Sequence, residues 1–259
     1  MTDDILKVED RGRVRLLTLN RPAVRNALNR DLNDRLVDEI IVADHDPEVF
    51  AIAITGAGSA FCSGADLKDA RDLAASGRPF YGPLHSNRRS LMEVMIDSRK
   101  PTLAIVNGPA MAGGFELALS CDLRVATADA VFGVPEAKRG RGAHFASVLL
   151  PVTVPPAIAM EWLYTGRQIS AGELERWGVL NRVVPADQLN ATATALLDEI
   201  VSSAPLSLQR LKLTYRKTAG MSPLAAIRLD TGPDVYLSED QKEGAHAFLE
   251  RREPKWQGR

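Results

Sequence analysis

Sixteen consecutive residues limit most sharply what this chain can fold into. Asn107 to Asp122, NGPAMAGGFELALSCD, join a glycine-bearing turn, a helix start and one carboxylate. The run before them, Thr102 to Val106 (TLAIV), is apolar and β-branched and is predicted to be a buried strand, which Gly108-Pro109 ends with turn chemistry. A helix is predicted to follow. Gly113 and Gly114 lack a Cβ, so the backbone can approach a ligand closely there, and the free N–H groups of a starting helix carry partial positive charge. Such a place suits an anion. Glu116 falls in the first turn, where the helix dipole favours its ionised form, and Leu117, Leu119 and Cys121 supply apolar surface for burial. Taken alone, the segment also describes an ordinary strand, turn and helix with a capping acid.

Ala51 to Lys68, AIAITGAGSAFCSGADLK, repeats the design. A strand over Phe50 to Ile54 and a glycine-rich turn lead through Ser63-Gly64-Ala65-Asp66 into a second helix. Two backbone N–H donors, one near Ala65 and one near Gly113, could then meet on one atom, as an oxyanion hole requires when a thioester carbonyl gathers negative charge. Gly56-Ala57-Gly58 begins like a dinucleotide fingerprint, but Phe61 replaces the third glycine and no acid lies about 20 residues beyond, so NAD is not expected. Cys62 has no histidine near it in sequence, and a small buried thiol is expected there rather than a nucleophile. His45, His85, His144 and His246 show no metal-ligand spacing, and two cysteines are too few for a structural zinc site, so no metal is expected.

With 32 basic and 33 acidic side chains and a formal charge of −1, the chain has no global field to attract nucleic acid or a membrane surface. Its 259 residues suffice for one large domain with an appendage. Cys62 and Cys121 suit a reducing compartment, the acidic start MTDDILKVED has no apolar signal region, and no apolar run approaches a membrane span. A cytoplasmic location is expected.

Further elements follow from periodicity. Val14 to Leu19 is predicted to be a strand ended by Asn20-Arg21-Pro22, and Leu28, Leu32, Leu36 and Ile40 draw the apolar stripe of a helix reaching about Ala43. Asp69 to Asn87 is loose, with Gly, Pro and Ser around Phe80 and Tyr81. Two short strands are predicted over Leu123 to Ala126 and Val131 to Val134, the second ending on Pro135-Glu136, which sets a carboxylate at a strand end. From Pro155 the pattern is helical, and no strand is expected after about residue 200. Leu208, Leu211 and Tyr215 share one helical face, and Ser238 caps a helix running to Arg252.

NGPAMAGGFELALSCDLRVA together with GSAFCSGADLK resembles the two signature loops of the crotonase, or enoyl-CoA hydratase/isomerase, superfamily. The resemblance extends from LLTLNRPAVRNAL at Leu16 through FGVPEAKRG at Phe132 to SEDQKEGAHAFLERREPKW near the C-terminus. It implies an α/β fold, a crotonase-like spiral of repeated ββα units over residues 1–199, followed by a C-terminal helical oligomerisation region over 200–259. It also implies an acyl-CoA thioester substrate, no separate cofactor since coenzyme A is part of that substrate, and a homo-oligomer, a trimer or a dimer of trimers. Glu116 matches the carboxylate of one motif and Glu136 that of the other; the resemblance makes them the catalytic acid–base pair, with the N–H groups of Ala65 and Gly113 as oxyanion hole. Arg25, Gly64, Asp66, Leu67, Lys68, Gly114, Arg251 and Arg252 stand at positions matching substrate and CoA contacts. A solvated surface arginine is an equally ordinary role for Arg25, and a helix C-terminus favoured by the dipole for Arg251 and Arg252.

Within the superfamily, VPEAK, RWGVLNRVV and LKLTYRKT are most similar to the short-chain hydratases and the carnitinyl-CoA dehydratase branch, whose reaction is hydration reversed. Two close carboxylates resist joint ionisation, so one of the pair is expected to hold a raised pKa. A double-bond isomerase needs a single carboxylate, and an idle scaffold needs neither. The chain departs from the family after Glu136, where AKRGRGAHFASVLLP replaces a glycine-rich segment. The resemblance places this segment and the region of Phe80 and Tyr81 beside the acyl group, which makes Arg141, His144, Phe145, Phe80 and Tyr81 the expected acyl-pocket residues, although the two aromatics could equally pin their loop to the surface; Arg139 and Arg141 must either face solvent or meet an anion.

Overall fold

The structure, a computed structural model, describes residues 4–75 and 89–259. β1 (Leu6–Arg11) pairs antiparallel with β2 (Val14–Leu19), and α1 (Arg30–His45) leads to β3 (Ala51–Gly56), parallel to β2. After α2 (Leu67–Ala75) and α3 (Leu91–Asp97) come β4 (Thr102–Val106), β5 (Ala110–Met111), α4 (Gly113–Ser120), β6 (Leu123–Thr127) and β7 (Val131–Gly133). The chain continues through α5 (Ala146–Thr153), α6 (Pro156–Thr165), β8 (Ile169–Ser170), α7 (Ala171–Arg176), β9 (Arg182–Val184) and α8 (Leu189–Val201). It closes with α9 (Pro205–Thr218), α10 (Pro223–Ile227) and α11 (Glu239–Glu250).

Six strands form one sheet in the order β1-β2-β3-β4-β6-β9, and β5, β7 and β8 form a second. Isolated parallel bridges Leu28↔Ala65 and Cys62↔Ala110 continue the small-sheet direction from turn to turn. Each turn of the chain thus contributes a strand to the large sheet, a short extended piece to the second layer, and a helix outside, which is a spiral of ββα units.

β3 and β4 are apolar on both faces because each face is covered. One side packs Ile52 and Ile54 against the stripe of α1, whose Leu32, Leu36, Ile40 and Ala43 are buried as the four-residue spacing requires. On the other, Leu189, Ala193 and Leu197 of α8 cover Ala53, Leu103 and Ile105. Asn29 caps α1 by accepting from the Leu32 N–H, 3.1 Å.

Two features differ from expectation. β1 has only Leu6 buried and no alternating pattern to announce it; it exists because β2 offers an edge to pair with, and its charged residues then face water. The stretch after Pro155 is not wholly helical, since Ile169–Ser170 and Arg182–Val184 pair with β7 and β6. Strands this short carry no period of their own.

Residues after 204 attach mainly through polar contacts. Lys212 Nζ donates to the Lys100 carbonyl at 2.6 Å and meets Asp122 at 2.5 Å, while Arg216 donates to the Ser98 carbonyl at 3.1 Å. Trp256 Nε1 reaches the Ser202 carbonyl at 2.6 Å. Ser238 caps α11 as expected, accepting from Gln241 N–H at 3.0 Å. The predicted shared face of α9 points outward, with Leu211 68% and Tyr215 74% exposed. Among the described residues, no helix is long and apolar enough to cross a membrane.

Asp122 also accepts from the Thr102 N–H and hydroxyl, so it ties β4, β6 and α9 together. Removing it leaves the buried Lys212 ammonium without its carboxylate. Asp122→Ala should therefore lower unfolding free energy by about 3 kcal/mol, the scale for breaking a buried ion pair. Urea denaturation monitored by circular dichroism measures it, with Glu9→Ala, a member of an exposed pair, leaving the midpoint little changed as the comparison.

Candidate active site

Two loops of the spiral meet closely enough to exclude side chains. Gly64 sits at φ +89, and a Cβ there would lie 2.8 Å from Ala112 Cβ and 3.1 Å from Gly113 N. A Cβ on Gly113 would in turn lie 3.8 Å from Ala65 N and 3.8 Å from Leu28 Cδ1. The N–H groups of Ala65 and Gly113 therefore stand side by side, and among the described residues neither has a hydrogen-bond acceptor.

The donors are held by the backbone around them. Ala112, at φ 53 and ψ −129, is a non-glycine residue in a disfavoured region, a strain of about 1 to 3 kcal/mol. Its N–H bonds the Gly133 carbonyl at 2.8 Å, and its carbonyl accepts from Phe115 and Glu116 at 2.9 and 3.0 Å. On the facing loop, the Gly64 carbonyl accepts from Leu28 N–H at 2.8 Å and Asp66 N–H donates to the Leu28 carbonyl at 3.0 Å. The facing loop hangs from Asn26, fully buried at φ 55, whose amide donates to the carbonyls of Ala57 and Ala60 and accepts from Arg21 N–H.

One helical turn beyond Gly113 stands Glu116, 8% exposed. Its Oε1 accepts from the Phe145 and Ala146 N–H groups at 3.0 and 3.1 Å, the N-terminus of α5. Its carboxyl pKa is nevertheless raised, chiefly by desolvation, which outweighs those two hydrogen bonds and the charge of His144. The expectation that the dipole of its own helix would favour ionisation is thus overturned by burial. Glu136 lies in a 3₁₀ turn, Pro135–Arg139, and its Oε2 is buried with no hydrogen-bond partner among the described residues. Burial pushes its pKa up to about 7, with the nearby Glu116 charge adding to the rise and Arg139 and Arg141 opposing it. Phe115 of α4 and Phe132 of β7 pack with ring centroids 5.2 Å apart, locking the carriers of the two carboxylates together.

A pair of neighbouring backbone donors beside one buried and one half-buried carboxylate can polarise a carbonyl and move protons next to it. A family model described as Enoyl-CoA hydratase/isomerase matches residues 9–259. The chain belongs to that family. It is 38% identical to an enoyl-CoA hydratase of Mycobacterium tuberculosis over 97% of this chain and 96% of that one. It is 41% identical to a carnitinyl-CoA dehydratase of Salmonella heidelberg, covering 96% of each. Among solved structures, a probable enoyl-CoA hydratase/isomerase from Mycobacterium abscessus superposes with a TM-score of 0.87 at 38% identity, over 100% of both chains.

Not every residue matched to the enoyl-CoA hydratase/isomerase motifs stands free to touch substrate. Asp66 caps α2, accepting from Lys68 and Asp69 N–H groups, and pairs with Arg21 at 3.0 Å, so its carboxylate is engaged. Gly114 is a packing position: a Cβ there would lie 2.2 Å from the Cys62 carbonyl oxygen. Leu67 and Lys68 are exposed at the start of α2, and Arg25 is exposed with its carbonyl accepting from Ser63 N–H at 3.0 Å. Arg251 terminates α11 in the left-handed region, and Arg252 pairs with Glu243 and Glu250. Phe145 packs against the main core and contributes its N–H to Glu116, while His144 is exposed beside it. Phe80 and Tyr81 lie outside the described residues. Cys62 is buried with its thiol pushed up to about 12, unsuited to act as a nucleophile.

Asn26, Leu28, Ala112 and the Phe145 and Ala146 N–H groups were not singled out as site residues from sequence. Asn26 alone had a signal, since asparagine tolerates the left-handed region and bonds backbone at turns. The others act through backbone position.

Glu136 titrates near 7 when folded and near its ordinary 4.5 when unfolded, so the folded chain holds the proton more tightly. The stability this contributes is fully present below about 4.5 and is lost as pH rises through about 7. Glu136→Gln, which cannot ionise, should therefore match wild type near pH 4 and exceed it near pH 8. Denaturant midpoints at the two pH values measure this.

Proposed function

We propose that the protein is an enoyl-CoA hydratase, adding water reversibly across the Cα=Cβ bond of a 2-enoyl-CoA thioester. The observation that carries this reading is the placement of the buried Glu116 and the half-buried Glu136 carboxylates beside a pair of backbone N–H donors that have no acceptor among the described residues. With the thioester oxygen on the Ala65 and Gly113 N–H groups, electron density from the double bond can flow onto it as water attacks. Each such donor contributes about 2.7 to 4 kcal/mol in comparable acyl chemistry.

Glu116, whose carboxylate is anchored by two N–H groups, accepts a proton as the water oxygen bonds to Cβ. Glu136 donates its proton to Cα as the enolate collapses, and the carbonyl double bond is restored. Proton return from Glu116 to Glu136 completes the cycle. Both acids act from one face, so addition is syn. Glu136 is the group that holds the proton at rest, because its buried oxygen lacks any donor to stabilise a charge. Every step uses protein groups and water, with coenzyme A entering as part of the substrate. Run backward, the same site is a dehydratase, the activity named for the Salmonella relative.

Retention of two carboxylates argues against a double-bond isomerase, which needs one. Glu116→Gln and Glu136→Gln should each lower kcat by about a hundredfold or more with little change in thioester binding. Loss of conjugated thioester absorbance on crotonyl-CoA measures turnover. Near wild-type rates in either variant would remove the two-carboxylate mechanism.

We further propose a homo-oligomer, a trimer or a dimer of trimers, working in the cytoplasm. Leu211, Tyr215, Leu224, Ile227, Leu237 and Phe248 are all exposed on the helices after residue 204, large apolar side chains that contact with further copies would cover. The two buried free thiols suit a reducing compartment. Sedimentation equilibrium should return three or six chains per particle, and a monomer at micromolar concentration would refute the assembly.

A further inference from the structure

We propose that the Arg21 guanidinium and the Asp66 carboxylate are positioning residues for the reaction, a clamp that aims the Ala65 N–H at the thioester oxygen. This rests on the hydratase reading and deepens it. Each side chain acts through the backbone that carries Ala65.

The direction of the Ala65 N–H is set by its neighbour across the loop. Leu28 and Ala65 face each other in an isolated parallel bridge: Leu28 N–H donates to the Gly64 carbonyl at 2.8 Å, and the Leu28 carbonyl accepts from Asp66 N–H at 3.0 Å. A residue whose two neighbours are both bonded to a parallel partner turns its own N–H to the opposite edge. For Ala65 that edge faces Gly113, where a Cβ would lie 3.8 Å from Ala65 N. The aim of the donor therefore depends on one bridge.

Arg21 spans that bridge. Its Nη1 donates to the carbonyl of Ala27, the residue before Leu28, at 2.5 Å, and its Nη2 donates to Oδ2 of Asp66, the residue after Ala65, at 3.0 Å. One rigid planar group thus fixes both segments at the point where they pair. The two side chains are only 19% and 15% exposed, so solvent screens the pair less than it would a surface one. With its other oxygen Asp66 accepts from the Lys68 and Asp69 N–H groups at 3.1 and 3.4 Å, which ties the bridge to the start of α2. Burial alone would raise the Asp66 pKa, but Arg21 and these two N–H groups together hold it below its ordinary value, so the clamp stays charged. Asn26 fixes the base of the arginine, its N–H donating to the Arg21 carbonyl and its amide oxygen accepting from Arg21 N–H, each at 2.9 Å.

An oxyanion donor works only where it meets the developing charge, and a misplacement of about 1 Å can cost a hundredfold in rate. The test compares wild type with Arg21→Lys, which keeps the charge but cannot span both acceptors, and Asp66→Asn, which keeps an acceptor for α2 but loses the ion pair. Two quantities are read: kcat and KM on crotonyl-CoA, and the absorbance of a bound dimethylaminocinnamoyl thioester of coenzyme A, whose band moves to longer wavelength as its carbonyl is polarised. Each variant should lose about ten- to a hundredfold in kcat with KM within about threefold, and the band shift should shrink in step. The double variant should lose no more than the worse single one, because both substitutions break the same clamp. Glu136→Gln should lose turnover yet keep the full band shift, since it leaves both donors in place. Near wild-type kcat with an undiminished shift in either variant would overturn the proposal. A raised KM at unchanged kcat would also overturn it and return Asp66 to coenzyme A binding, as would a loss of kcat with the shift intact. Arg21→Lys carries the test by itself if Asp66→Asn does not fold. If wild type hydrates no thioester, the hydratase reading fails separately, and a band shift that does not shrink in the variants still overturns the clamp.

Discussion

The close approach of two backbone segments, at Gly64 and Gly113, is the constraint on which the rest of the site depends. A Cβ at Gly64 would collide with Ala112, and one at Gly114 would collide with the Cys62 carbonyl, so both loops must be bare for the Ala65 and Gly113 donors to stand together. The approach is not free. Ala112 is held in a disfavoured conformation, and the fully buried Asn26 amide is committed to the turn that supports the facing loop. The parallel bridges from Leu28 to Ala65 and from Cys62 to Ala110 make this possible, because they stack successive turns of the spiral. The placing of these two N–H groups side by side is thus a property of the joint between two repeats.

Around that joint the electrostatics divide two chemically identical side chains. Glu116 and Glu136 are both taken out of water, which raises the pKa of each. Their surroundings then diverge. Glu116 receives two N–H donors from the start of α5, which favour its anion, whereas Glu136 has only its own backbone N–H to do so and its buried Oε2 has no partner among the described residues. One carboxylate can accept a proton and the other can supply one, from side chains with the same intrinsic acidity. The segment after Glu136 supplies both the α5 donors and the arginines whose charge reaches Glu136, so a single stretch acts on both acids.

Away from the site, the helices after residue 204 are joined to the spiral by a different kind of interaction. Their attachment centres on Lys212, Arg216 and Asp122 and on the Trp256 indole, while large apolar side chains such as Leu211 and Phe248 stay in water. Buried charges specify one docking position, because any other leaves Lys212 without its carboxylate.

Much of this was legible in the residues themselves. The four-residue stripe of α1, the β-branched run of β4, the glycine-rich turns and the Ser238 cap each depend on neighbours in sequence, and each was read where it occurs. The paired glutamates were legible too, through the motifs that carry them. β1, β8 and β9 were not, because short strands form only when a partner edge arrives from elsewhere. Nor was the working environment of Glu116. Its place in the first turn of α4 suggested a capping acid favoured by its own helix, yet its pKa direction and its hydrogen-bond partners come from residues about thirty positions away. Sequence determined which groups the chain carries and the local bends that present them. Tertiary structure decided which of those groups are stripped of water and which backbone N–H groups face them, because desolvation and hydrogen bonding depend on every segment that packs around a site.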